Sequence, residues 1–280
     1  MKNVIYPIAI LLLVGTGCAH TDEEKFVPKE GRYASIQGKK IYYEEYGTGM
    51  PLLLLSGGGH NRSIEDFYKC IPGLAEHFRV IAPDSPAQGK SEQPDSISYE
   101  ILTNTMSAFI DSLEVDSLYV MGWSDGGIMS ILLAERRADK VKRAIAVGAN
   151  NGKRGFNIPA DVPLESVVPP SPEVWAKLNQ ESVDKYLKDP GKDWKKLLRQ
   201  LSGMVYANEY FPVSVYERIH IPVMIVLGDR DDISIEHGTE MHKAIKGSQF
   251  CVLPNTTHEV FSEQAGLINS VTIKFLENEE

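Results

Sequence analysis

Six short runs of the chain are apolar without interruption: Leu52–Leu55, Val80–Ala82, Leu118–Met121, Ala144–Val147, Val223–Val226 and Phe250–Leu253. A strand with one wet face alternates apolar and polar residues, whereas a strand covered on both faces does not. These runs therefore read as strands of a sheet lying between two layers of helix. Amphipathic segments separate most of them, at Ile64–Phe78, Ser98–Leu113, Gly127–Ala138, Ile235–Ile245 and His258–Glu277. Strand and helix in alternation, joined by right-handed crossovers, predict an α/β fold with a mainly parallel sheet flanked by helices. Ahead of them, the alternating runs Arg32–Ile36 and Lys40–Glu45 on either side of Gln37-Gly38-Lys39 predict an antiparallel hairpin.

One interval departs from this rhythm. Between about 151 and 219 there is no buried-strand run, but there are several prolines (among them Pro159, Pro163, Pro169, Pro170 and Pro172) and helical patches at Trp175–Leu187 and Trp194–Tyr206. Its aromatic residues argue against a structureless loop. The interval is expected to be a helical lid inserted over the strand ends, within one folded domain spanning 33–280.

The N-terminus has a different pattern. Lys2 precedes an apolar stretch, Val4–Val14, then small residues and Cys18, so 1–19 reads as an export signal too short to span a membrane. Its end resembles a bacterial lipoprotein signal with Cys18 as the lipidated residue, and cleavage near Ala19 is the competing outcome. A membrane-anchored lipoprotein or a periplasmic protein is expected, with membrane contact only through that lipid. The polar stretch 20–32 would be the tether. Cys70 and Cys251 fall in an expected helix and an expected buried strand, where lone thiols act as small hydrophobes, so no disulfide is expected.

Composition narrows the function classes. Hydrophobic residues make up 42% and charged residues 24% of the 280 positions, as in ordinary folded domains. A net charge of −9 with no long basic run removes the footprint that nucleic-acid binding requires. The expected partner is a small molecule.

The chemistry gathers at strand ends. Leu118–Met121 runs into Gly122-Trp123-Ser124-Asp125-Gly126 and then a helix, which is G-x-S-x-G in its strand-turn-helix setting. A nucleophile held on so sharp a turn forces neighbouring backbones together, and glycine on either side makes room. A serine hydroxyl is a poor nucleophile near neutral pH and needs a base, which must in turn be oriented by an acid. Of the seven histidines, only His258 follows a late buried strand. The acid is sought in Gly228-Asp229-Arg230-Asp231-Asp232, where spacing favours Asp231 with Asp232 second. The oxyanion needs two amides. Asp125 supplies one, and the glycine loop Ser56-Gly57-Gly58-Gly59 supplies the other, assigned to Gly58.

These residues resemble the α/β-hydrolase superfamily from about residue 33 to the C-terminus. The glycine loop, Asp84–Ser91 (similar to the family's D-x-R-G-x-G-x-S loop), GWSDGG, GDRDD and LPNTTH occur in family order. Within the superfamily the chain looks most like biphenyl-hydrolase-like, valacyclovir-hydrolase-type proteins, which share the GWSDGG elbow and a following strand ending in G-A-N, here Gly148-Ala149-Asn150. Two departures stand out: Ser56 where many members carry histidine, and Ser85-Pro86 in place of arginine-glycine.

The resemblance implies a hydrolase of small carboxylic esters, aminoacyl esters included, acting through an acyl-enzyme on Ser124 with no metal or cofactor. A lactonase, a C–C bond hydrolase or a cofactor-free haloperoxidase would use the same triad, and a non-enzymatic binding protein could keep it. Dehalogenation is disfavoured, because that chemistry uses aspartate where Ser124 stands. Asp125 either holds a substrate ammonium or simply complements the helix dipole. Trp123 and Asn150, with Trp175 and Tyr206, are candidates for the pocket wall.

Overall fold

A computed structural model describes residues 26–59, 61–178, 180–186 and 192–278. The export signal, Cys18 and the first part of the tether lie outside the described residues. Eight strands form one sheet: β1 (Arg32–Ile36), β2 (Lys39–Tyr46), β3 (Pro51–Leu55), β4 (Arg79–Pro83), β5 (Leu118–Trp123), β6 (Val141–Val147), β7 (Val223–Gly228) and β8 (Gln249–Leu253). They lie in the order β1-β2-β4-β3-β5-β6-β7-β8. β2 is antiparallel to β1 and β4, and every other pairing is parallel. This is an α/β-hydrolase fold, as expected. The hairpin turns on Gln37 and Gly38, both at positive φ, which is the backbone a tight two-residue turn between twisted strands requires.

The uninterrupted apolarity of the inner strands has a direct cause. Leu53 and Leu55 of β3 face one half of the core, with α2 (Tyr99–Ser112), α3 (Asp125–Arg136) and α8 (Ile235–Ala244). Leu52 and Leu54 face the other half, with α1 (Ile71–Ala75), α9 (Val260–Glu263) and α10 (Ala265–Glu277). All four leucines are fully buried, and each contributes about 1.5–3 kcal/mol relative to exposure.

Two expected helices are divided. Ile64–Phe78 becomes a 3-10 turn at Ile64–Phe67 followed by α1, with Pro72 in the first turn of α1, where its missing amide costs nothing. His258–Glu277 becomes α9 and α10, separated at Gln264 by a non-helical backbone (φ −132°, ψ 40°). β8 is paired along one side only and is half-exposed, so Cys251 is only partly buried rather than in the interior as expected. Cys70 and Cys251 are free thiols.

Between β6 and β7 the chain forms α4 (Pro172–Leu178), α5 (Gln180–Tyr186), α6 (Trp194–Val205) and α7 (Ser214–Glu217). α6 is strongly amphipathic and buries Leu197, Leu198, Leu201 and Met204, while its start is capped by the Asp193 carboxylate. Among the described residues no helix is long and apolar enough to cross a membrane.

Candidate active site

β5 delivers Ser124 onto a backbone with φ 55° and ψ −117°, outside the regions a serine normally occupies. Such strain costs on the order of 1–3 kcal/mol and persists only where surrounding structure imposes it. Here the Ser124 amide donates to the Val147 carbonyl at 2.8 Å, and the Ser124 carbonyl accepts from Ile128 of α3 at 3.0 Å. The flanking glycines are required by close approach. A β-carbon on Gly122 would fall 2.0 Å from the Gly126 carbonyl oxygen, and one on Gly126 would fall 1.9 Å from that of Leu55.

The ends of β7 and β8 bring the next two groups together. His258 Nδ1 lies 2.7 Å from Asp231 Oδ1. Asp231 is held in place by its own backbone neighbours, with Ile233 N–H donating to Oδ1 at 2.9 Å and Gly228 N–H to Oδ2 at 3.2 Å. Burial alone would lower the His258 pKa, but the Asp231 carboxylate outweighs it, aided by Asp232 and Glu259, and the imidazole is raised above its ordinary value. Trp123 donates its indole N–H to the His258 carbonyl at 2.8 Å. Gly148, at φ 60°, leaves room for the ring, since a β-carbon there would lie 2.7 Å from His258 Cε1.

The glycine loop after β3 packs against this elbow. A β-carbon on Gly57 would lie 3.4 Å from the Ser124 β-carbon, and one on Gly58 would lie 1.9 Å from Asp125 Oδ2. The neighbouring Asp84–Ser91 loop is tied down without the family's arginine-glycine, because Asp84 accepts the amides of Ile64 at 2.9 Å and Lys90 at 2.7 Å. Asp125 is buried. Its Oδ1 accepts from the Tyr99 hydroxyl at 2.8 Å, while Oδ2 has no hydrogen-bond partner among the described residues. Burial raises its pKa to about 6, against the Tyr99 hydrogen bond and the charge of His258.

Ser124, His258, Asp125, Gly58, Trp123 and Asn150 line one recess, about 650 Å³ of empty space with its open mouth included. Tyr206 lines it too, with Val205 and Tyr210 from the inserted segment, whereas Trp175 of α4 does not. Asn150 commits its amide to the Gly152 carbonyl at 2.9 Å.

Several contributors escaped sequence reasoning. Asp232, weighed there only as an alternative acid, forms part of the wall. Arg62 stacks 4.3 Å over the Trp123 ring and bonds to Glu259 and Asp66. Tyr99, the partner of Asp125, lies 26 residues from it, and no local pattern marks such a pair. Gly148 could have been found, since a glycine directly after a buried strand signals a special backbone.

The alpha/beta hydrolase family model matches residues 52–270. The chain belongs to that family. Among its relatives, haloalkane dehalogenase 2 of Mycobacterium tuberculosis is 33% identical over 128 residues, 45% of this chain and 44% of the relative. The match thus spans less than half of that relative's length. Serine hydrolase BPHL of Homo sapiens is 22% identical over 254 residues, covering 87% of this chain and 85% of the relative. The enol-lactonase from Burkholderia xenovorans LB400 superposes on 88% of this chain and 100% of its own, with a TM-score of 0.68 at 20% identity, a likeness of fold.

Proposed function

We propose that the protein is a serine hydrolase of small carboxylic esters that forms an acyl-enzyme on Ser124. The observation carrying this reading is a strained serine sharing one recess with a hydrogen-bonded Asp231–His258 pair. Ser124 Oγ attacks the ester carbonyl while His258 Nε2 takes its proton. Asp231 keeps the other ring nitrogen protonated and stabilises the imidazolium. The backbone amides of Asp125 and Gly58 stabilise the tetrahedral oxyanion. His258 then returns the proton to the departing alkoxide, and water activated by the same imidazole releases the acid.

Asp125 extends the reading to aminoacyl esters. Asp125 follows the nucleophile in the recess wall and holds an oxygen without a protein partner, which a substrate ammonium would complete with a charge-assisted hydrogen bond. Lactones, C–C substrates and peroxidation remain the competing reactions on the same triad, and anchoring through Cys18 remains the proposed location.

Fluorophosphonate labelling tests the nucleophile. Wild type is expected to be labelled and Ser124→Ala is not; an unlabelled wild type, or an undiminished variant, rejects the reading. A substrate screen over acyl chain lengths, aminoacyl esters and lactones then separates the competing reactions.

A further inference from the structure

The recess carries more negative charge than the triad uses. Among its described lining residues Arg62 is the only arginine or lysine, and its guanidinium is already taken by Glu259 at 2.5 Å and Asp66 at 3.3 Å. Asp125 and Asp232 remain. Asp125 holds a buried oxygen with no partner. Asp232 is half-buried in the wall, no arginine or lysine among the described residues pairs with it, and the nearby positive charge it senses is His258. Two carboxylates in a partly desolvated pocket whose one arginine is already paired favour a positively charged occupant, because their field is screened less than at an open surface.

The two reach the recess from different elements, the start of α3 and the loop after β7. Asp125 opens α3 directly after Ser124 and packs on Gly58 of the oxyanion loop. Asp232 follows Asp231, the partner of His258, and His258 must face the leaving group to protonate it. Phe156, bridged to Ile233, and Tyr206 line the same recess as Asp232, and aromatic faces add attraction for a cation.

We infer that Asp232 forms a leaving-group subsite that selects esters whose alcohol portion carries a positive charge. This rests on the esterase reading of Ser124. Acetylcholine and 3,3-dimethylbutyl acetate share an acyl group and a shape and differ by one charge. In wild type, kcat/KM for acetylcholine is expected to exceed that for the neutral ester by roughly tenfold. Asp232→Asn brings the ratio close to unity, Asp232→Glu retains part of it, and Asp125→Asn lowers it less than Asp232→Asn does. Equal wild-type values, or a preference that survives Asp232→Asn, overturn the inference.

Calorimetric titration with choline needs no turnover and decides the matter if neither ester is cleaved. Binding weakened severalfold by Asp232→Asn supports the subsite, whereas absent or unchanged binding overturns it. Loss of fluorophosphonate labelling would count against the esterase reading alone. Thermal melts of the variants show whether each has folded.

Discussion

The loop after β7 and the first turn of α3 each bury a carboxylate beside Ser124, but they satisfy it differently. Asp231 receives three donors: the His258 ring, Ile233 N–H and Gly228 N–H. Asp125 receives one, from Tyr99, and keeps an orphan oxygen. Burying a carboxylate is costly unless its lone pairs are met. Asp231 is therefore a fixture of the folded protein, organised to hold an imidazole. Asp125 keeps one oxygen without a protein partner among the described residues, the oxygen that the aminoacyl-ester proposal assigns to a substrate ammonium.

The comparison breaks most sharply at Asp231. Asp231→Asn is expected to lower kcat by about 10⁴-fold, because an amide no longer stabilises the imidazolium or selects its tautomer. Steady-state kinetics beside Asp232→Asn provide the check; a larger loss in the latter would transfer the acid role. Next is Gly148→Ala, which places a methyl 2.7 Å from His258 Cε1 at φ 60°. Displacing the ring should cost roughly 100-fold in kcat, and an equal slowing of fluorophosphonate labelling would locate the damage in the chemical step.

Asp125→Asn should erase a preference of about tenfold for leucine and phenylalanine esters over their N-acetylated forms. Equal rates for the two forms in wild type, unchanged in the variant, would reduce Asp125 to a dipole complement. The same variant should be more stable than wild type. Burial raises the Asp125 pKa from 3.8 to about 6, so the folded state binds more protons between those values and loses stability as pH rises through them. Asn escapes that loss, giving about 3 kcal/mol above pH 7 and no gain below the unfolded pKa, readable in denaturant melts at two pH values.

The smallest effect concerns His258, a base that must be neutral. Its pKa is raised by Asp231, Asp232 and Glu259 against burial, so kcat/KM should climb with pH through a midpoint above 6.5. Asp232→Asn should move that midpoint down by a fraction of a pH unit. A midpoint that stays put would mean that the Asp232 charge is screened from the imidazole.

Much of the scaffold was legible because its signals are local. A strand buried on both faces must be apolar at every position, so β3 to β7 announced themselves. A serine on a strained turn must have small neighbours, which made Ser124 readable between Gly122 and Gly126. Edge strand β8 was misplaced in the interior because Phe250–Leu253 is as apolar as a buried run, and only its neighbours reveal that one side is open. Among the aromatic residues of the insertion, Tyr206 reaches the recess and Trp175 does not. Nothing in their spacing separates them, since a helix that packs on a core and a helix that walls a pocket carry the same stripe.

The sequence by itself determined the layered α/β architecture and the elbow through short-range periodicity and the steric demands of single turns, while the order of serine, acid and histidine candidates followed from the resemblance to the α/β-hydrolase superfamily. Only the tertiary structure decided which aspartate meets His258, that Tyr99 holds one oxygen of Asp125 and leaves the other bare, and that Arg62 is neutralised before it can offset the recess. Those pairings join residues 26 to 197 positions apart. They are set by the crossing of strand ends in space, and charge balance in a pocket is a property of what the fold brings together.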